Sequence, residues 1–168
     1  MNRLLSRPIP ASGVIVASGG NAGIATAAAA RALGVRCEVF VPTVSSEAKR
    51  AKLRELGAEL VVTGAAYGDA LQACLARQAE TGALLTHAYD QPEVVAGAGT
   101  LALEIADQAG TLPDTVLVSV GGGGLIAGLA LGFAGLSGGK TQVIALEPEN
   151  APTLHAARQA GQPVDVPV

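Results

Sequence analysis

Four consecutive glycines, Gly121, Gly122, Gly123 and Gly124, stand between an apolar, β-branched run and a stretch of helical character. The apolar run predicts a buried strand. Because glycine lacks a Cβ atom, this backbone can adopt positive φ angles and approach a ligand closely. Its N–H groups would lie at the positive end of the following helix dipole. The stretch therefore predicts an anion site with a phosphate as ligand, and a tight turn without a ligand is the alternative.

A second stretch near the N-terminus has the same design. A predicted strand, the turn Ser-Gly-Gly-Asn at residues 18–21 and an alanine-rich helix follow one another there. In such units the loop at the carboxyl end of the strand faces the ligand crevice. The Ser18 hydroxyl and the Asn21 amide can bind a ligand or cap the helix, and the sequence leaves both roles open.

A third candidate is the polar segment at residues 87–93, which carries one of the two histidines and one of the two tyrosines of the chain. A polar loop at the carboxyl end of a strand is a functional candidate, and an ordinary solvent loop is the alternative. The helix predicted after it opens with small residues at 96–100, which permit another backbone or a ligand to come near.

The composition limits the class of protein. In 168 residues, 49% are hydrophobic and 15% charged, which predicts a folded core. Aromatic residues make up only 2% and the net charge is −3, so nucleic acid is not an expected partner. The sequence has no apolar run of membrane-spanning length and no signal peptide, so we expect a cytoplasmic location without membrane association. Cys37 and Cys74 lack metal-ligand spacing and are predicted to be reduced and packed.

Strands and helices are predicted to alternate along the chain, which specifies parallel pairing with right-handed crossovers. We expect an α/β fold with open, mainly parallel sheets, helices on both faces and two α/β lobes. Residues 1–13 are predicted to be a remnant and linker, residues 14–110 a small lobe, and residues 111–168 part of a large lobe with the glycine loop. The predicted strands are residues 14–17, 37–41, 59–63, 83–86, 116–120 and 141–146; the predicted helices are residues 22–33, 47–56, 69–81, 94–109, 125–136 and 151–159.

Two interpretations of the glycine loop follow from the residues alone. Gly122, Gly124 and Ala127 satisfy the loose G-x-G-x-x-[GA] pattern of dinucleotide sites, and Glu147 ends the next strand, where a ribose-binding acid belongs. An NAD(P)-dependent oxidoreductase is thus one alternative, although it gives no role to the turn at Ser18. A non-catalytic chain that binds a phosphate is the other.

Four motifs in one order carry a resemblance to a known family. They are Ser-Gly-Gly-Asn-Ala-Gly at 18–23, His-Ala-Tyr-Asp-Gln-Pro-Glu-Val at 87–94, Ala-Gly-Ala-Gly-Thr at 96–100 and Val-Gly-Gly-Gly-Gly-Leu-Ile-Ala-Gly at 120–128. With Glu-Pro-Glu at 147–149 after them, they resemble the serine/threonine dehydratase (threonine ammonia-lyase) branch of the pyridoxal-phosphate enzymes with the tryptophan-synthase-β-type fold, fold type II. The resemblance covers the chain from about residue 2 to residue 164.

The resemblance implies roles for the matching positions. Asn21 would donate a hydrogen bond to the 3-oxygen of pyridoxal 5′-phosphate. The residues that would bind the cofactor phosphate are Gly121, Gly122, Gly123, Gly124 and Leu125.

Further positions match the family's substrate and metal sites. Ser18, Gly19 and Gly20 would hold the carboxylate of the amino-acid substrate. Glu147 and the carbonyl group of Ala151 match two ligands of a structural divalent cation. The third family ligand, an acid, is replaced by threonine at position 153.

The resemblance also implies a lyase of amino-acid metabolism that converts L-threonine or L-serine to a 2-oxo acid and ammonia. A homo-oligomer such as a dimer is the general expectation for a small enzyme. Racemase members carry a serine at the position of Gly19, so the glycine favours elimination. The reaction needs a lysine that forms a Schiff base with the cofactor. Lys49, Lys52 and Lys140 lack the family's context, so no catalytic residue is assigned. We expect the chain to be an incomplete, catalytically impaired portion of a larger enzyme.

Overall fold

The computed structural model describes residues 1–164 and residue 166. Strands and helices alternate through these residues after one short N-terminal helix. The elements are α1 (Asn2–Leu5), β1 (Val14–Ala17), α2 (Asn21–Ala32), β2 (Cys37–Val41), α3 (Glu47–Glu55), β3 (Glu59–Val62), α4 (Tyr67–Thr81), β4 (Leu84–Leu85), α5 (Pro92–Ala109), β5 (Thr115–Ser119), α6 (Gly124–Ser137), β6 (Gln142–Leu146) and α7 (Thr153–Ala160).

The chain divides into two compact units, Met1–Glu93 and Val94–Val168. The first contains a four-stranded sheet in the order β3-β2-β1-β4, and the second a two-stranded sheet of β5 and β6. Every strand pair is parallel. The predicted α/β fold with parallel sheets is therefore confirmed, whereas the lobe boundary after residue 110 stays a prediction.

The central sheet of the first unit is covered on both faces. Val14 and Val16 of β1 pack with α1, α2 and α3, whereas Ile15 and Ala17 pack with α4. Even the short helix α1 belongs to this core, because Leu4 is only 2% exposed. Burial on two faces explains why β1 is a continuous apolar run rather than an alternating one. In β2 the charged residue Glu38 is buried as well, and it is paired with Arg36 and Arg77.

All four strands of the first unit end at one edge of the sheet because they run in parallel. Thr86 N–H, just past β4, donates to the Ile15 carbonyl at 2.9 Å, and Thr63 N–H, just past β3, donates to the Val41 carbonyl at 2.9 Å. The turn at Ser18, the segment at residues 42–46 and the polar segment at residues 86–91 thus lie along the same edge. This edge positions the first group of candidate site residues.

Helix α4 begins two residues earlier than its sequence pattern predicts. The Asp69 carboxylate accepts hydrogen bonds from Ala65 N–H at 2.8 Å and Ala66 N–H at 3.0 Å. This acid lies in the first helical turn and satisfies the backbone before the helix, so Tyr67 and Gly68 join the helix. Among the described helices, none combines the length and hydropathy needed to span a membrane.

In the second unit the sheet packs one face against α5 and α6, with Ala102, Val118, Leu129 and Phe133 as its buried core. The two helices approach closely through glycine. A Cβ atom at Gly128 would lie 2.5 Å from the Val95 carbonyl oxygen and 2.6 Å from Gly99 N. The small residues at the start of α5 therefore admit another backbone, as their composition suggested.

Two glycines of α6 should respond oppositely to alanine. Gly128→Ala places a methyl group against the α5 backbone and should lower the free energy of unfolding by about 1–3 kcal/mol. At Gly135 a Cβ atom would meet nothing within 4 Å. Gly135→Ala should therefore raise the free energy of unfolding by roughly 0.5–1 kcal/mol through helix propensity. Urea denaturation followed by circular dichroism measures both, and equal effects would contradict the close helix crossing.

The two cysteines should be unreactive in the folded protein. Both are buried and unpaired, and burial is the main cause that raises the pKa of Cys37 to about 12 and that of Cys74 to about 11. Since the thiolate is the reactive form, we expect neither to react with Ellman's reagent at pH 8 until the protein unfolds in urea. Single Cys37→Ser and Cys74→Ser variants assign the signal, and rapid labelling of either thiol in buffer would contradict its burial.

Candidate functional site

The first group of candidate residues forms the turn between β1 and α2. Gly20 N–H donates to Ser18 Oγ at 3.2 Å, and the Gly20 carbonyl accepts the first helical hydrogen bond from Ile24 N–H at 3.1 Å. A Cβ atom at Gly23 would collide with the Ser18 carbonyl oxygen. Gly23, which has no role in the motif beyond its spacing, therefore allows the helix start to pack directly on the turn.

Asn21 does not cap helix α2. It is the first helical residue, whereas Gly20 holds the N-cap position with φ −109° and ψ −153°. The Asn21 side chain is exposed and donates no hydrogen bond to any residue that the structure describes. Helix capping by the Asn21 side chain is therefore not observed, and ligand binding by Asn21 stays a prediction.

Ser45 is a residue of this edge that the sequence motifs missed. A Cβ atom at Gly19 would lie 2.7 Å from Ser45 Oγ and 3.4 Å from Val41 Cγ1. A side chain at position 19 would thus compete with the Ser45 hydroxyl for the same space. The available signal was its place just after β2, since loops at the carboxyl ends of parallel strands line ligand sites.

The N-termini of α2 and α6 differ electrostatically from those of the neighbouring helices. Glu47, Asp69 and Glu93 lie in the first turns of α3, α4 and α5, where an acid complements the helix dipole. Helices α2 and α6 have no acid in the first turn and no side-chain cap from the N-cap residue. Their first N–H groups lack a helical partner and remain available to an external anion.

The second group of candidate residues lies around the glycine loop between β5 and α6. Val120 N–H donates to the Leu146 carbonyl at 2.9 Å, which fixes the start of the loop. Gly123 is the N-cap residue of α6 with φ +87°, a conformation that favours glycine. A Cβ atom at Gly121 or Gly123 would meet nothing within 4 Å, so the space beside the loop is open. Leu125 in the first turn of α6 is 46% exposed. These residues fit an anionic group such as a phosphate.

Glu147 caps the N-terminus of α7 from outside the helix. Its Oε1 accepts from Thr153 Oγ1 at 2.8 Å and from Leu154 N–H, and its Oε2 accepts from His155 N–H at 3.0 Å. The hydrogen bond from Leu154 N–H is the main cause that lowers the pKa of Glu147 below its usual value. The carboxylate is thus committed to the backbone of its own chain.

The same geometry bears on the expected cation. The Ala151 carbonyl accepts from Thr153 N–H at 2.9 Å. Within residues 1–164 and 166, no group of three or more His, Cys, Asp or Glu side chains could hold a metal ion. Glu147 and Ala151 are neighbours in the structure, but both already accept protein hydrogen bonds.

The polar segment at residues 87–93 is ordered by its own side chains. His87 Nδ1 accepts from Asp90 N–H at 2.9 Å and from Tyr89 N–H at 3.3 Å. Gln91 accepts from His87 N–H at 2.9 Å and donates to the Leu85 carbonyl at 3.2 Å. Residues 87–91 therefore form a defined loop at this edge of the sheet, whereas Pro92 and Glu93 already belong to α5. The functional role of the segment stays a prediction.

The candidate residues fall into two groups by unit. Ser18, Gly19, Gly20 and Asn21 lie together in the first unit. Those of the second unit are Gly121, Gly122, Gly123, Gly124, Leu125, Glu147 and Ala151.

Loss of the Glu147 carboxylate should loosen α7. In Glu147→Gln, one acceptor oxygen remains, so we expect faster hydrogen exchange at Leu154 and His155 N–H. The pKa of Glu147 is lower in the folded state than in the unfolded state. The stabilisation of α7 by the Glu147 carboxylate is therefore fully present above the unfolded-state pKa of Glu147 and is lost as the pH falls through its folded-state pKa. Exchange measured by NMR across this acidic range tests both statements. Glu149→Gln, an exposed neighbour, is the matched control, and equal exchange in the two variants would contradict the capping role.

Comparison with known proteins agrees with this geometry. Residues 2–168 match the family model described as pyridoxal-phosphate dependent enzyme. An L-threonine ammonia-lyase of Geobacter sulfurreducens is 40% identical over 172 residues, which cover 100% of this chain and 42% of that protein. An L-threonine ammonia-lyase of Thermotoga maritima is 36% identical over 152 residues, which cover 89% of this chain and 37% of that protein. The chain thus spans about two fifths of the length of these relatives.

Solved structures give the same result. The processed form of threonine deaminase isoform 2 from Solanum lycopersicum superposes with a TM-score of 0.85 at 33% identity, covering 96% of this chain and 44% of that one. Maize serine racemase superposes with a TM-score of 0.86 at 29% identity, covering 93% of this chain and 47% of that one. The resemblance carried by the four motifs is therefore confirmed. Since the family match runs from residue 2 to residue 168 and the structural agreement extends over nearly all of the chain, this protein belongs to the pyridoxal-phosphate dependent enzymes of fold type II.

Proposed function

We propose that this chain is part of a pyridoxal-phosphate dependent lyase that removes the β-hydroxyl group of L-threonine or L-serine and yields a 2-oxo acid and ammonia. Relatives named L-threonine ammonia-lyase and L-threonine dehydratase, at 36–40% identity, support the reaction class. The bound cofactor supplies an electron sink that makes the Cα–H bond of an amino acid acidic. The residues of this chain bind the cofactor and the substrate and orient them.

The open glycine loop at the N-terminus of α6 is the observation that carries the proposal. A phosphate there would accept hydrogen bonds from backbone N–H groups of Gly121, Gly122, Gly123, Gly124 and Leu125. The absence of an acidic residue in the first turn of α6 avoids repulsion of a doubly charged group. Among residues 1–164 and 166, no atom outside the adjacent residues lies within 4 Å of a Cβ atom placed at Gly121 or Gly123. The described residues therefore fit the phosphate of the cofactor.

The turn at Ser18 is proposed to hold the substrate carboxylate. The acid-free N-terminus of α2 favours an anion there, as α6 does. The Gly19 N–H group and the Ser18 hydroxyl would donate to the carboxylate oxygens. Gly20 N–H, which donates to Ser18 Oγ at 3.2 Å, would exchange that bond for one to the carboxylate. Asn21 has an uncommitted amide that can donate to the 3-oxygen of the cofactor.

Gly19 carries no hydroxyl group, and Ser45 Oγ fills the space that a side chain would occupy. This arrangement agrees with elimination, for which no proton donor at position 19 is needed. No lysine of this chain is assigned to the Schiff base.

The alternatives are weaker on structural grounds. An NAD(P)-dependent oxidoreductase would use the Glu147 carboxylate for a ribose hydroxyl, but that carboxylate accepts three hydrogen bonds from the N-terminal turn of α7. A divalent cation at Glu147 and Ala151 would have to compete with the same donors, and it stays a prediction. Homo-oligomer formation and a cytoplasmic location also stay predictions.

Cofactor binding can be tested with two glycines of equal backbone strain. Gly123 and Gly139 have φ of +87° and +84°, and a Cβ atom at either would meet nothing within 4 Å. Alanine therefore strains both positions alike, but only Gly123 belongs to the loop. We expect Gly123→Ala to weaken binding of pyridoxal 5′-phosphate roughly tenfold, about 1.4 kcal/mol, and Gly139→Ala to leave it unchanged.

NMR titration of the 15N-labelled chain with pyridoxal 5′-phosphate gives both affinities and locates the binding residues. Shifts concentrated at the N–H groups of residues 121–125 are the expected result. No binding, equal weakening by both variants, or tight binding of a nicotinamide dinucleotide without an effect of pyridoxal 5′-phosphate would contradict the proposed function.

A further inference from the structure

The side chain of Thr153 connects the glycine loop to the N-terminus of α7. Its Oγ1 lies 3.1 Å from the Gly121 carbonyl oxygen and 2.8 Å from Glu147 Oε1. A threonine hydroxyl has one proton, so it faces two oxygen acceptors in a three-centre arrangement. Thr153 is the first residue of α7, and its backbone is fixed because its N–H donates to the Ala151 carbonyl at 2.9 Å.

Glu147 and Gly121 depend on this hydroxyl to different degrees. Glu147 Oε1 also accepts from Leu154 N–H, and its Oε2 from His155 N–H. Within the part of the chain that the structure describes, the Gly121 carbonyl accepts a hydrogen bond from Thr153 alone. Without the hydroxyl, the Glu147 carboxylate would still accept from Leu154 N–H and His155 N–H, but the Gly121 carbonyl would be released.

The orientation of that carbonyl decides where the next N–H group points. The peptide unit is planar and trans, so the carbonyl of Gly121 and the N–H of Gly122 point in opposite directions. Glycines have no side chains to restrict rotation of the peptide between them. A hydrogen bond from outside the loop can therefore fix the orientation of the peptide between Gly121 and Gly122.

We propose that Thr153 is a positioning residue of the anion site: by holding the Gly121 carbonyl, it directs Gly122 N–H away from α7 and keeps it available to a phosphate. The inference rests on the proposed function, in which Gly122 is one of the donors to the cofactor phosphate. It adds a contact to the glycine loop from α7, whose Thr153 lies 32 residues after Gly121 in the chain.

Three variants separate positioning from general stability. Thr153→Val removes the hydroxyl with little change of shape, and Thr153→Ser keeps it. Thr141→Val is the matched control, since Thr141 Oγ1 donates to the Pro113 carbonyl at 2.9 Å, away from the loop. We expect Thr153→Val to weaken binding of inorganic phosphate and of pyridoxal 5′-phosphate about threefold to tenfold, the value of one hydrogen bond. Thr153→Ser and Thr141→Val should bind as the unchanged chain does.

A measurement without ligand tests the orientation itself. Residual dipolar couplings of the Gly122 N–H bond, compared with those of α6, should change in Thr153→Val and not in Thr153→Ser or Thr141→Val. Unchanged couplings in Thr153→Val would overturn the inference whether or not a ligand binds.

The binding data then separate the two proposals. If the unchanged chain binds phosphate and Thr153→Val binds equally well, the positioning role is wrong and the proposed function stands. If the unchanged chain binds neither ligand but the couplings change as expected, the proposed function fails and the control of the Gly122 peptide is supported.

Discussion

Unpaired backbone N–H groups at two helix N-termini are the feature on which the candidate site depends. Every α-helix begins with N–H groups that have no partner in the helix. In α3, α4 and α5 an acid in the first turn complements the helix dipole, and in α7 the Glu147 carboxylate accepts directly from helical N–H groups. Helices α2 and α6 begin instead with glycine-rich turns and no acid. Among the described helices of eight or more residues, α2 and α6 thus have N-termini without an acid from the chain itself, and anion binding there is the prediction.

The parallel order of the strands brings these helix N-termini to the edge of the sheet where the strands end. A parallel strand must be followed by a crossover, so each strand's carboxyl end is close to the N-terminus of the next helix. In the first unit this arrangement aligns the turn at Ser18, the segment containing Ser45 and the loop containing His87 along one edge. At the turn itself the residues Ser18, Gly19 and Gly20 are small, which leaves the backbone there accessible to a ligand.

Glycine serves two separate purposes in this protein. At Gly123 it permits a positive φ and an open surface beside the backbone, which suits a ligand. At Gly23 and Gly128 it permits contact between two parts of the backbone, because a Cβ atom would strike a carbonyl oxygen. The sequence alone does not separate these purposes, since both produce the same small-residue motifs.

The sequence by itself determined the order of strands and helices, the parallel α/β architecture and the family, because these follow from local hydrophobic patterns and from glycine motifs of fixed spacing. It also identified both glycine-rich turns, where strand, turn and helix are adjacent in the chain. Only the tertiary structure decided that Glu147 caps α7, that Ser45 fills the space beside Gly19 and that Thr153 reaches the Gly121 carbonyl. Each of these contacts joins separate elements, and the distance between two such side chains is set by how the elements pack.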